Sequence, residues 1–371
     1  DVQLYHDADP ALISHCARVL NKDCKKVDLR NLSRHGYSGS QLYVAFFANG
    51  TKGQPYVAKL NRLTEIDDEL AAAEAVQIFF STAHVQASHR DTTAKRGALV
   101  YPLIGTKPDG TEVRTLEDEI KSKVGSSVQD KRLSKLVRQL FEYQFANAHK
   151  TERKQRLLGR EHGRYLRNRP RDNAGERLAA LYGSDVTDKT RKVLGATVRD
   201  PRYVIRRLHS VKVEMSIAEA IHGDLHSSNV LIDANGGPQL IDFAWGQKSS
   251  HVLKDFVLLE CSLRFFLFPD HMDFELQRKM DAALLRENGP EELTKLADDA
   301  HLHAYYRRMG EVLRVTRQMA RQAAGEGFDF DEYLACQLWV LYGLLSYDTY
   351  RFHAAARALG MVSKRVLSRY V

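Results

Sequence analysis

The sequence has little of what builds metal clusters or disulfide frameworks. Its 371 residues include four cysteines and 15 histidines, with neither C-x-x-C nor H-E-x-x-H spacing among them. This scatter argues against a zinc site and against disulfides, and it fits a reducing cytosol. The four cysteines are Cys16, Cys24, Cys261 and Cys336.

Long apolar runs are also missing. The best candidate, residues 334–345, is short and contains Gln337, which indicates a buried core helix. The first ten residues, DVQLYHDADP, have neither a basic leader nor an apolar signal core. We therefore expect no membrane partner and a cytoplasmic location. The start at Asp1 fits a processed chain or a piece of a longer one.

The composition is that of an ordinary globular protein, with 43% apolar and 27% charged residues. A core of useful size is expected, and the length suits two lobes or domains. No internal repeat and no low-complexity linker divides the chain.

The net charge of +8 is unevenly distributed. Residues 150–214 carry 18 Lys or Arg against 8 Asp or Glu, a local excess of +10. Such a block binds nucleic acid or another anionic partner, or it forms a helical insert with solvated charged faces. Its few aromatic residues favour the solvated insert, because bases stack on aromatic rings.

The first hundred residues predict a small sheet with one helix. Alternating apolar residues indicate strands near 27–29 and 42–46, and a third strand at 56–60. A helix is predicted from Thr64, as its cap, to Phe80. The apolar segment 97–104 predicts a further strand.

From about residue 115 the pattern becomes helical. Helices are predicted at 116–124 and 133–148, and two short strands between His222 and Ile241. The remaining helical runs are predicted at 255–268, 273–287, 302–324 and 331–359. The fold class is therefore α+β, with a β-rich first part and a mostly helical second part.

The most informative segment begins at His222 and reads H-G-D-L-H-S-S-N. Asp224 can accept a proton from an attacking hydroxyl, and Asn229 offers an oxygen to a hard cation. A second strand then ends in Asp242. Mg²⁺ needs few protein ligands, because phosphates and water complete its octahedron. Single Asp and Asn residues in turns usually bond backbone amides, but the ordered set indicates phosphoryl transfer.

The strings HGDLHSSN and LIDFAWGQ resemble the aminoglycoside phosphotransferase and choline kinase family, which shares the protein kinase fold. The resemblance implies ATP and Mg²⁺ as cofactors, Asp224 as the base, and Asn229 and Asp242 as metal ligands. His222 would support the loop backbone. Asp255 would brace the loop, or it is a plain acid in the first turn of a helix.

The resemblance also implies a bilobal fold, with a small β-rich N-lobe at 1–104 and a helical C-lobe at 105–371. A flexible loop over the phosphates is expected at Gly36, Ser38 and Gly39. Lys59 would contact the nucleotide, held by a glutamate of the helix. Glu69 is favoured for that role and Glu74 stays open, because the two flank opposite edges of the apolar stripe.

The strand linking the lobes is expected to receive adenine. Pro102 has no N–H, so the hydrogen bonds must come from the backbone of its neighbours. These neighbours are Val100, Tyr101 and Leu103. Ala244 replaces the glycine of D-F-G, which leaves the metal assignment intact and implies a site without a D-F-G flip.

The leading function is ATP- and Mg-dependent phosphorylation of a hydroxyl on a small molecule or another non-peptide acceptor. The alternative is a kinase-fold regulatory or nucleotide-binding module in a larger signalling or defence assembly. A protein kinase is disfavoured, because only about a dozen residues separate Asp242 from Asp255, too few for a peptide-binding activation segment. The basic insert would meet an anionic or protein partner.

Overall fold

The computed structural model describes residues 14–16, 18, 26–31, 41–48, 55–81, 85, 87–102, 114–121, 127–167, 173–233, 235–267, 274–295, 300–347 and 351–371. The predicted phosphate loop at Gly36, Ser38 and Gly39 lies outside this part, as does Leu103.

A five-stranded antiparallel sheet forms the first part of the molecule. Its strands are ordered β1-β2-β3-β5-β4. They span β1 Lys26–Asn31, β2 Gln41–Ala48, β3 Pro55–Arg62, β4 Ala87–Asp91 and β5 Arg96–Pro102. The strands predicted near 27–29, 42–46 and 56–60 are confirmed. Strand β4 was not predicted, because ASHRD shows no apolar alternation.

One helix, α1 (Leu63–Val76), packs on this sheet. The predicted bounds were wrong at both ends, since Arg62 is the N-cap residue and a short 3₁₀ turn (Gln77–Phe79) follows Val76. The first turn extends a strand directly, so Thr64 has no capping role. Gly97 permits close packing, because a Cβ there would lie 2.9 Å from Ile66 Cγ2.

The basic block at 150–214 is not the helical insert that was predicted. It begins with β7 (Thr151–Leu157), which pairs with β10 (Lys212–Ile221). Between these strands the structure describes four helices and a β-hairpin. They are the helix α4 (Leu158–His162), the hairpin β8–β9 (Thr190–Val193 and Ala196–Arg199) and the helix α7 (Pro201–Leu208), with α5 (Arg164–Arg167) and α6 (Asn173–Tyr182) after α4. The prediction was wrong because β7 pairs with a strand some sixty residues away, and a local sequence pattern does not reveal such a pairing.

Two small sheets frame the central loops. In the first sheet β10 is the middle strand, between β7 and β13 (Gln247–His251). In the second sheet β11 (Val230–Ile232) is the middle strand, between β6 (Arg114–Thr115) and β12 (Pro238–Leu240). The predicted pair of short strands is thus confirmed. Before them come α2 (Leu116–Lys121), which lies within the predicted 116–124, and α3 (Ser127–Gln139), which begins six residues before the predicted 133–148. A turn of π-helix (Leu140–Gln144) follows α3.

The C-terminal third is helical, as predicted. Its helices are α8 (Leu253–Phe266), α9 (Phe274–Leu284), α10 (Ala300–Ala324), α11 (Phe330–Leu344) and α12 (Phe352–Tyr370). The single run predicted at 331–359 is in fact two helices, which pack against each other as one continuous helix could not. The mixture of helix and sheet agrees with the α+β class and with a kinase-like fold.

The apolar stretch at 334–345 belongs to α11, which is buried along nearly its whole length. No helix in the described ranges has both the length and the apolar character to cross a membrane.

Candidate active site

Strand register brings Asn229 and Asp242 together. In the β11–β12 hairpin Val230 faces Leu240, and one step further the Ile241 N–H donates to the Asn229 carbonyl at 3.1 Å. Asp242 follows immediately. Two residues thirteen positions apart therefore meet at the open end of one short hairpin.

Asp255 holds the preceding loop from the first turn of α8. Its carboxylate is completely buried and accepts backbone N–H groups of His222 at 3.0 Å and Gly223 at 2.8 Å. His149 Nε2 also lies 3.1 Å from it. Asp255 thus fixes the start of the loop that carries Asp224, the bracing position that the family resemblance implied.

The His222 ring is bonded at both nitrogens. Nε2 lies 2.9 Å from the Ile241 carbonyl, which can only accept, so Nε2 carries the proton. Nδ1 is then free to accept the Asp224 N–H at 3.3 Å. The ring joins the Asp224 loop to the segment before Asp242 and has no hydrogen left to exchange with a substrate.

Gly223 is required by its surroundings. Its φ is +79°, and a Cβ there would lie 2.1 Å from the Trp245 carbonyl oxygen. Any side chain would push apart the loop of Asp224 and the segment after Asp242.

Asp224 and Asn229 are oriented by a bond between them. Asn229 Nδ2 donates to the Asp224 carbonyl at 2.9 Å, which leaves the Asn229 carbonyl oxygen for another partner. The Asp224 side chain is about a third exposed, whereas Asn229 is nearly buried. A carboxylate open to incoming groups therefore sits beside a preoriented amide.

Lys59 on β3 joins the sheet to this loop region. Its Nζ lies 2.6 Å from Glu69 Oε2 and 2.6 Å from Asp242 Oδ2, and its side chain is 3% exposed. Of the two glutamates left open by the sequence, Glu69 contacts Lys59, whereas Glu74 is exposed on α1. Helix α1 packs through Ile66, Glu69, Ala73 and Val76, which turns Glu69 toward the sheet.

Burial and neighbouring charges shift the pKa values of Lys59, Glu69 and Asp242 in opposite directions. Burial favours the neutral form of Lys59, but the carboxylates of Asp242 and Glu69 outweigh it and raise its pKa. Burial would raise the pKa of Asp242, but Lys59 lowers it below its ordinary value. One ammonium cannot compensate two buried carboxylates equally, so burial and the nearby Asp242 charge raise the pKa of Glu69 to about 7 despite Lys59.

The strand expected to meet adenine is partly occupied by sheet contacts. Val100 pairs with Ala58 on one side and Ala87 on the other, so its backbone is used within the sheet. Among the described residues Tyr101 pairs with Val57 of β3, and its hydroxyl donates to Glu69 Oε1 at 2.5 Å. A backbone contact to adenine is therefore expected from Tyr101 or from positions beyond Pro102.

The donor set fits Mg²⁺. Asp242 Oδ2 is paired with Lys59, but Asp242 Oδ1 is buried and has no hydrogen-bond partner in the part of the chain that the structure describes. Asp242 also has φ +67°, a left-handed backbone that is costly for a non-glycine residue and is typical of functional sites. A buried carboxylate oxygen without a described partner is a suitable ligand for a hard cation, and so is the amide oxygen of Asn229.

Arg164 is a residue of this region that the sequence did not predict. Arg164, in the basic block, lies over the Trp245 ring at 4.8 Å and donates to the Trp245 and Ala244 carbonyls at 3.5 and 3.4 Å. Burial lowers its pKa, and Tyr165, Asp68 and Asp224 counteract that shift. Nothing in its spacing distinguishes it from the neighbouring arginines.

A family model matches the central part of the chain. Residues 143–342, over half of the chain, match the family model described as ternary complex associated domain 9. A search of curated proteins found no match.

Many solved structures match this chain, and two of them serve as examples. One, from Ralstonia eutropha JMP134, is assigned as an aminoglycoside phosphotransferase; identity is 13%, coverage 98% of this chain and 99% of that one, and the TM-score 0.47. The other is a microcompartment-associated aminopropanol kinase, with 14% identity, coverage of 96% and 98%, and a TM-score of 0.37. At these TM-scores neither likeness carries weight for the activity.

Proposed function

We infer that this chain, which belongs to the ternary complex associated domain 9 family, transfers the γ-phosphoryl group of ATP to a hydroxyl. The observation that carries the proposal is the placement of Lys59 against both Glu69 and Asp242, beside the loop of Asp224 and Asn229. These residues come from three distant segments. Phosphoryl transfer needs positioning and charge neutralisation more than covalent chemistry, and this set supplies both.

Asp224 is the proposed base. Its exposed carboxylate would accept the proton of the acceptor hydroxyl while that oxygen forms a bond to the γ-phosphorus and the bond to the β-phosphate oxygen breaks. The loop holds Asp224 through its own N–H on His222 and through its carbonyl on Asn229. This double attachment fixes the backbone at Asp224, and the carboxylate itself lies 3.9 Å from His226 Nε2 through Oδ2.

Lys59 is the proposed phosphate contact. Its raised pKa keeps it a cation even though its side chain is buried. Glu69 anchors it from α1, and Tyr101 in turn donates to Glu69. The pair of Lys59 and Asp242 would then join a smaller lobe at 1–104 to a larger one at 105–371.

Asn229 and Asp242 would hold Mg²⁺ through the Asn229 amide oxygen and Asp242 Oδ1. When bound, the ion neutralises charge on the phosphates and favours transfer. With Mg²⁺ in place Asp242 would have two cationic neighbours, Lys59 and the ion. Its lowered pKa keeps it ionised for both.

Arg164 indicates the charge of the acceptor. Its partly buried guanidinium, on the basic insert, lies close enough to Asp224 for their charges to interact. A cation over Trp245, three residues after Asp242, favours an acceptor that carries negative charge, such as a phosphorylated or carboxylated alcohol. We propose an anionic acceptor, whereas a cationic aminoglycoside would be repelled at this position.

The test is transfer of labelled γ-phosphate from Mg-ATP to a lysate extract, with wild type compared with Asp224→Asn. The proposal expects label in the small-molecule fraction with wild type and ~10²–10⁴-fold less with the variant. Equal labelling by both proteins would refute it. Glu74→Gln is the matched control, because Glu74 is an exposed carboxylate of α1 and touches none of the site residues.

A second candidate rests on the family description. A domain associated with ternary complexes could bind Mg-ATP without turnover and signal to partners, with the basic insert as the contact surface. Tight Mg-ATP binding that depends on Asp242, without transfer under any acceptor or partner, would favour this regulatory reading over the enzyme.

A further inference from the structure

Away from the site, a cluster of three buried side chains has the composition of a transition-metal centre. One nitrogen each of His162 and His251 and the sulfur of Cys336 lie within 4.8 Å of one another. The three residues come from the end of α4, the end of β13 and the middle of α11. All three are at most 1% exposed.

The imidazole of His162 lacks the hydrogen bonds that a buried ring needs. Neither of its nitrogens has a partner within the described ranges, although the residue is fully buried. Leaving a buried polar atom unsatisfied costs ~1–3 kcal/mol. Burial, aided by the charge of Lys254, lowers the pKa of His162 well below its usual value, so the ring is neutral and offers a lone pair.

His251 is held in the orientation typical of a metal ligand. Its Nε2 lies 2.8 Å from Glu332 Oε1, so Nε2 donates to the carboxylate and Nδ1 carries a lone pair. Nδ1 is buried and has no partner among the described residues. A carboxylate behind a histidine fixes the tautomer and strengthens the ring as a ligand.

The charges around the cluster are balanced. Lys254 would repel a cation, but its ammonium lies 2.7 Å from Glu161 Oε1. The same Glu161 oxygen also accepts a hydrogen bond from the backbone N–H of His251. Glu332 adds a second carboxylate, shared with Arg153. Burial raises the pKa of the Cys336 thiol well above its usual value, and a bound cation would reverse this by stabilising the thiolate.

We propose that His162, His251 and Cys336 bind one Zn²⁺ ion. Two imidazoles and a thiolate suit this borderline-soft ion, and small inward movements would bring the three atoms to tetrahedral spacing. The ion would tie the first helix of the basic insert to α11 and to β13, the strand between Asp242 and Asp255. The cluster escapes sequence inspection because its ligands lie some 85 to 175 positions apart, outside any short metal-binding pattern.

The test uses the full chain, purified under reducing conditions, stripped of metal and titrated with Co²⁺ in excess Mg²⁺. Thiolate-bound Co²⁺ gives a sulfur-to-cobalt charge-transfer band. The proposal expects this band to saturate at roughly one ion per chain and to disappear in Cys336→Ala. Cys261→Ala, which removes a buried cysteine outside the cluster, should keep it.

Absence of the band in wild type, or its persistence in Cys336→Ala, would overturn the proposal. X-ray absorption at the zinc edge on the wild-type protein makes the result independent of how the variant folds. One sulfur and two imidazole nitrogens around zinc support the site, and a shell of oxygen and nitrogen alone contradicts it. Neither measurement requires ATP, so the outcome is separable from that of the proposed phosphotransfer.

Discussion

Lys59 Nζ and Asp242 Oδ2 lie 2.6 Å apart, although one belongs to the five-stranded sheet and the other to the hairpin region that follows residue 222. A buried ion pair is costly to form and costlier to break, because the remaining charge stays desolvated. The proposed function gives both charges a use, Lys59 as the phosphate contact and Asp242 as the metal ligand.

Asp242→Asn is expected to remove transfer more completely than Asp224→Asn. The amide cannot neutralise the phosphates together with Mg²⁺, whereas loss of the base leaves positioning intact. We predict a fall in kcat of at least ~10³-fold for Asp242→Asn, together with weaker Mg-dependent ATP binding by calorimetry. Asp224→Asn should leave ATP affinity nearly unchanged, and equal losses of affinity in both variants would contradict these roles.

Because of Glu69, the free energy of unfolding is expected to fall as the pH rises from about 4.5 to about 7. Its pKa rises from an ordinary 4.5 to about 7 on folding, so the folded chain holds a proton that the unfolded chain has lost between these values. This contribution is fully present below pH 4.5 and is lost as the pH rises through about 7. The slope is at most ~1.4 kcal/mol per pH unit.

Denaturant unfolding measured from pH 5 to 7 should therefore show less loss of stability in Glu69→Gln than in wild type. Asp242 and Lys59 do not titrate in this window, because the pKa of Asp242 is lowered and that of Lys59 is raised. Glu74→Gln, on the exposed side of the same helix, should follow wild type. Parallel curves for wild type and Glu69→Gln would disprove the assignment.

Gly223→Ala should damage both folding and activity. The new methyl group would sit 2.1 Å from the Trp245 carbonyl oxygen on a backbone with φ +79°. We expect a loss of more than ~3 kcal/mol in the free energy of unfolding. Gly325→Ala is the control, because its φ of +72° is similar but nothing described lies within 4 Å of the added Cβ.

The control isolates the cost of the left-handed backbone, ~1–2 kcal/mol. The difference between the two variants then measures the contact with Trp245. Similar losses in both would mean that the segment after Asp242 yields to the methyl group and that Gly223 is not needed for the close approach.

Glu260, on the same helix as Asp255, anchors a buried charged network. It accepts hydrogen bonds from Arg317 at 2.8 Å, Arg264 at 3.1 Å and Tyr333 at 2.9 Å. Burial would raise its pKa, but the two arginines lower it to about 2. Glu260→Gln should destabilise the protein by ~3–5 kcal/mol, because Arg317 loses its buried counter-charge and Arg264 keeps only Asp281.

Thermal unfolding checks this expectation. Glu275→Gln removes the carboxylate of an exposed pair with Arg278 and should leave the melting temperature unchanged. If the two variants melt alike, the network around Glu260 contributes no more than a surface pair. Because the folded pKa is depressed, the stabilisation from Glu260 is present above its unfolded pKa and is lost as the pH falls toward 2.

Local patterns in the sequence determined much of what the structure contains. Short-range order predicted the strands around Val27, Val44 and Lys59, the hairpin that ends at Asp242, and the helical C-terminal third. These features depend on neighbours a few positions apart, so alternation and turn residues encode them. The motif H-G-D-x-H-x-x-N likewise carries its chemistry within one loop.

The tertiary structure alone decided which side chains meet. Periodicity placed Glu69 and Glu74 on opposite edges of one stripe, and only packing of α1 on β5 turned Glu69 toward Lys59. The same holds for Arg164 beside Trp245. It also holds for the cluster of His162, His251 and Cys336, which lie far apart in the sequence and come together only in the folded chain. Contacts of this kind depend on how elements pack, and packing is a property of the whole chain.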